Sequence, residues 1–305
     1  MATENNLDRE LRVGALYLSQ CLTPESGAIP RINNVDIYGE SISLNGIAGG
    51  DLITYVNFHD RYDLEGRIAR AQEQERHEVA EQLRRLKNKG GIMVADVAGH
   101  EFADSLRALM LHQIFHASIL YELDLHGELT NRLFEQINTR FFKSRTLRKL
   151  AGGADFANYV TLIYGEIDIT GRFRFISAGH PPPLIFSRAY DRFVEISPDR
   201  LISYPPIGIQ IAKDAADVKL FPSVLGYKEQ YTTNELNLMG HGDVLLLFTD
   251  GLTDSFCPYT QGRLERAVSR VKDGTAEEIC KEIFADRNAS LESEDDISLV
   301  VIKYR

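Results

Sequence analysis

Gly90-Gly91-Ile92-Met93-Val94-Ala95-Asp96-Val97-Ala98-Gly99-His100 is an apolar run of strand length that stops at an aspartate and then at a small-residue turn. Downstream, Phe102, Leu106, Leu109, Met110, Ile114 and Phe115 recur at the spacing of one helical face across Glu101 to Tyr121. The unit therefore reads strand, Asp turn, helix, and it delivers a carboxylate to the end of a buried strand. One such aspartate on its own would be read as a helix cap or a turn residue. Its meaning depends on what the rest of the chain repeats.

Three further stretches repeat it. Gly46-Ile47-Ala48-Gly49-Gly50-Asp51 leads into the β-rich run Leu52-Ile53-Thr54-Tyr55-Val56, and its paired glycines permit close backbone approach beside the carboxylate. Asp243 opens Val244-Leu245-Leu246-Leu247-Phe248, a strand apolar enough to be covered on both faces, which ends in Thr249-Asp250-Gly251. Glu294-Asp295-Asp296 opens the last strand, Ile297 to Ile302. If these strand ends meet, each pair of ionised carboxylates about 4 Å apart costs roughly 4 kcal/mol at an effective dielectric near 20. Cations must offset that repulsion. All-oxygen ligands select hard ions such as Mg²⁺ or Mn²⁺, because zinc would require His and Cys spacings that this chain lacks. Two such ions about 3.5–4 Å apart can serve in-line displacement at phosphorus.

The remaining segments predict both helices and strands. Leu7 to Leu22 has the pattern of an amphipathic helix, Ile32 to Ser43 that of a strand, and Asp60 to Lys89 is rich in charged residues and helix formers. In this last segment Leu64, Ile68, Ala71, Val79, Leu83 and Leu86 follow three-four spacing, but Gln72 and Glu75 interrupt the seam. We therefore expect a long helix or helical hairpin with a stripe too thin for the core, protruding as a solvated strut or as a partner-binding or dimerising element. A further helix is expected over Leu129, Leu133, Phe134, Ile137 and Phe141, followed by the basic cluster Arg140, Lys143, Arg145, Arg148 and Lys149, which could receive an acidic partner or a phosphate but is read as a solvated face and assigned no role. Tyr159 to Ile169 and Arg172 to Ser177 form a hairpin about Thr170-Gly171. Ser177-Ala178-Gly179-His180-Pro181 follows, with His180 as a structural turn residue, and strands are expected at Leu184 to Phe186, Phe193 to Ile196 and around Ile207-Gly208-Ile209. Helices over Gly262 to Val271 and Ala276 to Asn288 precede the last strand, the second opened by the capping box Thr275-Ala276-Glu277-Glu278.

Composition narrows the function classes. A chain of 305 residues with 44% hydrophobic content can bury a full core, and no apolar run reaches membrane-spanning length. The N-terminal residues lack a basic region followed by an apolar one, so a cytoplasmic location is expected. Cys21, Cys257 and Cys280 form no C-x-x-C pair, which argues against a disulfide framework or a thiolate zinc site. A net charge of -10 repels a phosphate backbone, so nucleic acid is not an expected partner.

Taken in order, Gly49-Gly50-Asp51, Asp96-Val97-Ala98-Gly99-His100, Ser177-Ala178-Gly179-His180-Pro181, Thr249-Asp250-Gly251 and Asp295-Asp296-Ile297-Ser298 resemble the bacterial SpoIIE and RsbU type of PP2C-like (PPM) serine/threonine phosphatase. The resemblance implies an α+β fold, a sandwich of two antiparallel β-sheets flanked by helices. Residues 1–30 would be a helix and lead-in, regulatory or linking, and residues 31–305 the phosphatase domain, with a helical insertion at 60–89. It implies two Mn²⁺ or Mg²⁺ ions, held by Asp51, Asp96 and the Val97 carbonyl on one side and by Asp250 and Asp295 on the other. Asp295 is preferred to Asp296 as the first of its pair. Asp51 and Asp96 would lie nearest the reacting water, which attacks without a protein nucleophile, and His100 next to them is either a catalytic or substrate-binding residue or a cap of the following helix. The implied substrate is a phosphoserine or phosphothreonine on a small anti-sigma-factor antagonist of a partner-switching pathway. The competing expectation is a catalytically silent fold that serves as a scaffold. Two departures from the family pattern are Glu101, where glycine is usual, and the long separation of Asp51 from Asp96.

Overall fold

The computed structural model describes residues 2–25, 27–44, 48–99, 102–150, 159–216, 218–220, 223–237, 240–253, 259–289 and 295–305, with the side chains of 2–8, 148, 150 and 198 left undescribed. In chain order, the helix Ala2–Leu22 (α1) and strands Val35–Ile42 (β1) and Asp51–Val56 (β2) precede helices Phe58–Arg61 (α2), Leu64–Glu73 (α3) and His77–Leu86 (α4). Strand Lys89–Val97 (β3) leads to helices Phe102–Leu125 (α5), Asn131–Lys143 (α6) and Arg145–Leu150 (α7), then strands Val160–Asp168 (β4), Arg172–Ala178 (β5), Leu184–Ser187 (β6) and Arg192–Val194 (β7). Short strands Ile211–Ala212 (β8), Tyr227–Lys228 (β9) and Asn234–Asn237 (β10) come before Val244–Phe248 (β11). Helices Gln261–Val271 (α8) and Ala276–Asn288 (α9) and strand Ile297–Tyr304 (β12) complete the described elements.

Two five-stranded antiparallel sheets, ordered β1-β12-β11-β6-β7 and β10-β5-β4-β3-β2, face one another. The period-two alternation of side chains explains why their central strands are apolar without interruption. On β3, Ile92 and Val94 enter the core between the sheets, whereas Met93, Ala95 and Val97 enter the one shared with α5 and α6. On β11, Leu245 and Leu247 face the other sheet, while Val244, Leu246 and Phe248 pack with α8 and α9. Each central strand thus feeds two cores, giving helix, sheet, sheet, helix in layers.

Local signals hold where chemistry is local. The β4–β5 hairpin turns at Gly171, whose φ of 77° suits glycine. The α9 capping box is formed in both directions, with Glu278 N–H donating to Thr275 Oγ1 and Thr275 N–H to Glu278 Oε2. The α5 face is rotated from the expected one. Ala108, Leu111, Phe115, Ile119 and Leu123 are buried, Leu106, Leu109, Met110 and Ile114 are only partly so, and Phe102 is exposed. The helix is apolar nearly all round, so its pattern did not single out a face. Phe193 lies in β7, which ends at Val194, and Ile207–Ile209 form a turn in which only Ile207 bridges to Val160.

The segment 60–89 is corrected more substantially. It is a helical hairpin, one of the two forms expected, made of α3 and α4 and turned at Glu75 with φ 57°, but its apolar stripe is buried and it does not protrude. Leu64, Ile68, Ala71, Ala80, Leu83 and Leu86 are all buried in the core shared with α5. The polar interruption at Gln72 and Glu75 is the hairpin turn, on either side of which a short apolar stripe faces inward. Arg76 donates to the carbonyls of Asp124 (2.9 Å) and Leu125, fastening the turn to the end of α5. A partner reading for this segment is left with its outer faces alone.

Candidate active site

Antiparallel register places Asp51, the first residue of β2, directly opposite Asp96 near the end of β3. The chain can close there because Gly49 and Gly50 have no side chains. A Cβ on Gly50 would lie 2.5 Å from the Val97 carbonyl oxygen and 2.6 Å from that of Gly99. One on Gly49 would lie 2.2 Å from the Asp296 carboxylate. The glycines before Asp51 thus form a cradle against the β3 turn and the start of β12.

Asp250 and Asp295 come from the other sheet, beyond the end of β11 and before the start of β12. Asp250, Asp295 and Asp296 all act electrostatically on Asp96, whose carboxyl is pushed up to about 7, first by burial and then by these charges. Arg107 pulls the other way. Asp51 is raised well above the usual carboxylate range by burial and by Asp96, partly offset by the hydrogen bond from Thr249. The four aspartates singled out in the sequence therefore share one electrostatic site. His100, Glu101, Gly46, Ile47, Cys257 and Glu294 lie outside the described residues.

Each carboxylate whose partner is resolved rests on a protein donor. Thr249 Oγ1 donates to Asp51 Oδ2 at 2.7 Å and accepts from Ser298 N–H at 2.9 Å, joining β2, β11 and β12. Asp296 accepts from the N–H groups of Leu44 (2.8 Å) and Gly50 (2.6 Å), so its carboxylate faces the backbone of the glycine cradle. Asp295 Oδ1 accepts from the N–H of Asp296 at 2.8 Å. Among the described residues no three Asp, Glu, His or Cys side chains converge as a ready ligand set. The donor chemistry nevertheless fits a hard divalent ion: the groups are all oxygen, and neighbouring carboxylates add to burial in raising the proton affinity of Asp51 and Asp96, a cost that a cation would offset.

Two buried arginines support this end of the sandwich, and the sequence reading did not single them out. Arg107, on the second turn of α5, donates to the Ala98 carbonyl and pairs with Asp104, bracing the turn after Asp96. Arg287, on α9, donates to the carbonyls of Gly251 (3.0 Å) and Leu252 (3.4 Å), bracing the turn after Asp250. Arg107 left a trace in the sequence as an i,i+3 Asp-Arg pair beside the apolar positions of the helix; Arg287 left none.

His180 follows Gly179, whose φ is 65°, and its buried ring approaches Thr161 Oγ1 at 2.9 Å through Nδ1. Burial lowers its pKa from 6.5 to about 3. The unfolded chain therefore takes up a proton over this interval that the native chain refuses, and stability falls as pH drops from about 6.5 towards 3. The full shift corresponds to about 5 kcal/mol. Urea unfolding at a series of pH values is expected to show a shallower acid loss for His180→Gln than for the parent; equal slopes would refute this.

A comparison with protein families matches residues 87–305 to stage II sporulation protein E (SpoIIE). That stretch contains Asp96, Asp250 and Asp295; Asp51 lies before it. Among curated proteins, the phosphoserine phosphatase RsbP of Bacillus subtilis (strain 168) is 27% identical over 169 residues, 55% of this chain and 34% of RsbP. The chain thus spans about a third of that relative's length. Among solved structures, the RsbU and RsbW domains of a Mycobacterium tuberculosis protein align with a TM-score of 0.59 and 18% identity, over 91% of this chain and 62% of that one. The SiaA-PP2C domain of Pseudomonas aeruginosa aligns with a TM-score of 0.60 and 13% identity, over 100% and 99% of the two chains. At such identities the structural likeness speaks for the fold, and the family match covers most of the chain. The chain belongs to the SpoIIE family of PP2C-like phosphatases.

Proposed function

We propose that this chain is a cytoplasmic, metal-dependent protein phosphatase that removes phosphate from serine or threonine of a signalling protein, an anti-sigma-factor antagonist of a partner-switching pathway. The observation that carries the catalytic part is the placing of Asp51 opposite Asp96 by strand register, with burial first and then the charges of Asp250, Asp295 and Asp296 raising Asp96 to about 7. Asp51, Asp96 and the Val97 carbonyl on one side, with Asp250 and Asp295 on the other, are the groups that would hold two Mn²⁺ or Mg²⁺ ions. Bound there, such ions supply positive charge to a phosphoryl group and lower the pKa of water. The protein's part is to position. Thr249 orients Asp51, Asp296 fixes the glycine cradle, and Arg107 and Arg287 brace the two turns. We assign His100 a place beside the reacting water on its position in the motif alone. The name of RsbP supports phosphoserine as substrate, while the antagonist rests on family analogy.

The test is hydrolysis of p-nitrophenyl phosphate by the purified chain with Mn²⁺, Mg²⁺ or EDTA, alongside calorimetric titration of Mn²⁺. Hydrolysis should require the ion, stop on chelation and resume when Mn²⁺ is returned. A folded chain that neither binds Mn²⁺ nor hydrolyses the ester with either ion would replace this reading with that of a silent scaffold.

A further inference from the structure

Between Glu135 and Asp155 the chain carries five basic residues and no acidic one, against a net charge of -10 overall. The fold brings its described part, up to residue 150, towards the carboxylate site. Helix α5 begins just beyond Asp96 and runs 24 residues, about 36 Å, away from it. At its far end His126 N–H donates to the Glu122 carbonyl (2.7 Å) and Thr130 N–H to Glu122 Oε2 (2.8 Å), turning the chain so that α6 returns. A chain of hydrogen bonds then locates the end of α6. Asn138 accepts from Gly208 N–H at 2.9 Å and donates to the Gln210 carbonyl at 2.8 Å. The neighbouring Ile207 exchanges backbone bonds of 2.8 and 3.0 Å with Val160, which lies opposite Val97 in the sheet. The last turn of α6 and all of α7 therefore sit at the Asp96 end of the sandwich. Buried Leu147 and the bond from its N–H to Ser144 Oγ (3.2 Å) anchor α7 there, and Arg140, Arg145 and Lys149 are exposed.

We propose that Arg140, Arg145 and Lys149 form a docking face for an acidic segment of the phosphoprotein substrate, beside the carboxylate site. The inference rests on the phosphatase reading for the identity of its occupant. Charge complementarity selects that occupant. A phosphorylated acidic segment is repelled by a chain of this net charge, and only cations within about a Debye length, roughly 8 Å at physiological salt, counter that locally. Exposed charges at a rim set encounter and partner choice more than chemistry.

The probe is a pair of fluorescent phosphoserine peptides with the same core, one flanked by Asp and Glu, the other by Lys. Binding is measured by anisotropy in EDTA, and hydrolysis with Mn²⁺. The parent chain should bind the acidic peptide about tenfold more tightly, as several exposed pairs of up to about 1 kcal/mol would give, and the preference should shrink as salt rises. Arg140→Glu/Arg145→Glu/Lys149→Glu should abolish the preference, and Lys149→Glu alone should reduce it. Arg192→Glu, exposed on β7, should leave it intact. Equal binding of the two peptides by the parent, an unchanged preference in the folded variants, or tighter binding of a DNA oligonucleotide or of phosphatidylserine vesicles than of the acidic peptide would overturn the proposal. Preferential binding without Mn²⁺-dependent hydrolysis would instead keep the docking face and remove the phosphatase reading.

Discussion

Asp96→Asn and Asp250→Asn are expected to lower Mn²⁺-dependent hydrolysis of p-nitrophenyl phosphate by more than about a hundredfold while the chain stays folded. Partners that merely orient metal ligands are worth 10–100-fold, so loss of a ligand itself should cost at least the upper end of that range. A second signature of opposite sign accompanies it for Asp96. Burial and the charges of Asp250, Asp295 and Asp296 raise its carboxyl from 3.8 to about 7. The native state therefore holds a proton that the unfolded chain releases, and stability without metal falls as pH rises from about 4 to 7. At pH 8 that penalty is of the order of 4 kcal/mol. Asp96→Asn removes it, so the metal-free variant should melt above the metal-free parent and gain little on Mn²⁺ addition. Calorimetry with and without Mn²⁺ measures both. A folded Asp96→Asn or Asp250→Asn chain that turns over at the parental rate would refute the assignment of these aspartates.

Replacing residues 62–88 by a short Gly/Ser linker is expected to abolish cooperative folding. The segment contributes Leu64, Ile68, Leu83 and Leu86 to the core beneath α5, each at most 6% exposed. Truncating one buried Leu or Ile costs about 2–5 kcal/mol. Four together match or exceed the whole stability of a typical domain, about 5–15 kcal/mol. The excision also removes Arg76 and with it the bonds to the carbonyls at the end of α5. Far-UV circular dichroism through a thermal ramp gives the outcome, and a sharp melt with native helix content would show that the hairpin is dispensable.

The sequence by itself determined most of the long strands and helices and the position of an aspartate at the end of each of four strands, but not the short strands β8, β9 and β10 or the turn at Ile207–Ile209. Periodicity, caps and turn residues act within a few positions, so β3, β11, the Gly171 hairpin and the α9 capping box are written where they form. Only the tertiary structure decided which ends meet. Asp51 faces Asp96 through the register of β2 on β3 across a 45-residue separation, and Asp295 joins them because β12 lies between β1 and β11. The two members of the Asp295-Asp296 pair are indistinguishable by composition. The structure separates them because the Leu44 and Gly50 N–H groups, more than 240 residues away in the chain, take the Asp296 carboxylate. The same holds for Arg107, Arg287 and the inward faces of α3 and α4. A charged residue in a helix reads as solvated until its neighbours in space are known, and burial is a property of those neighbours rather than of the residue.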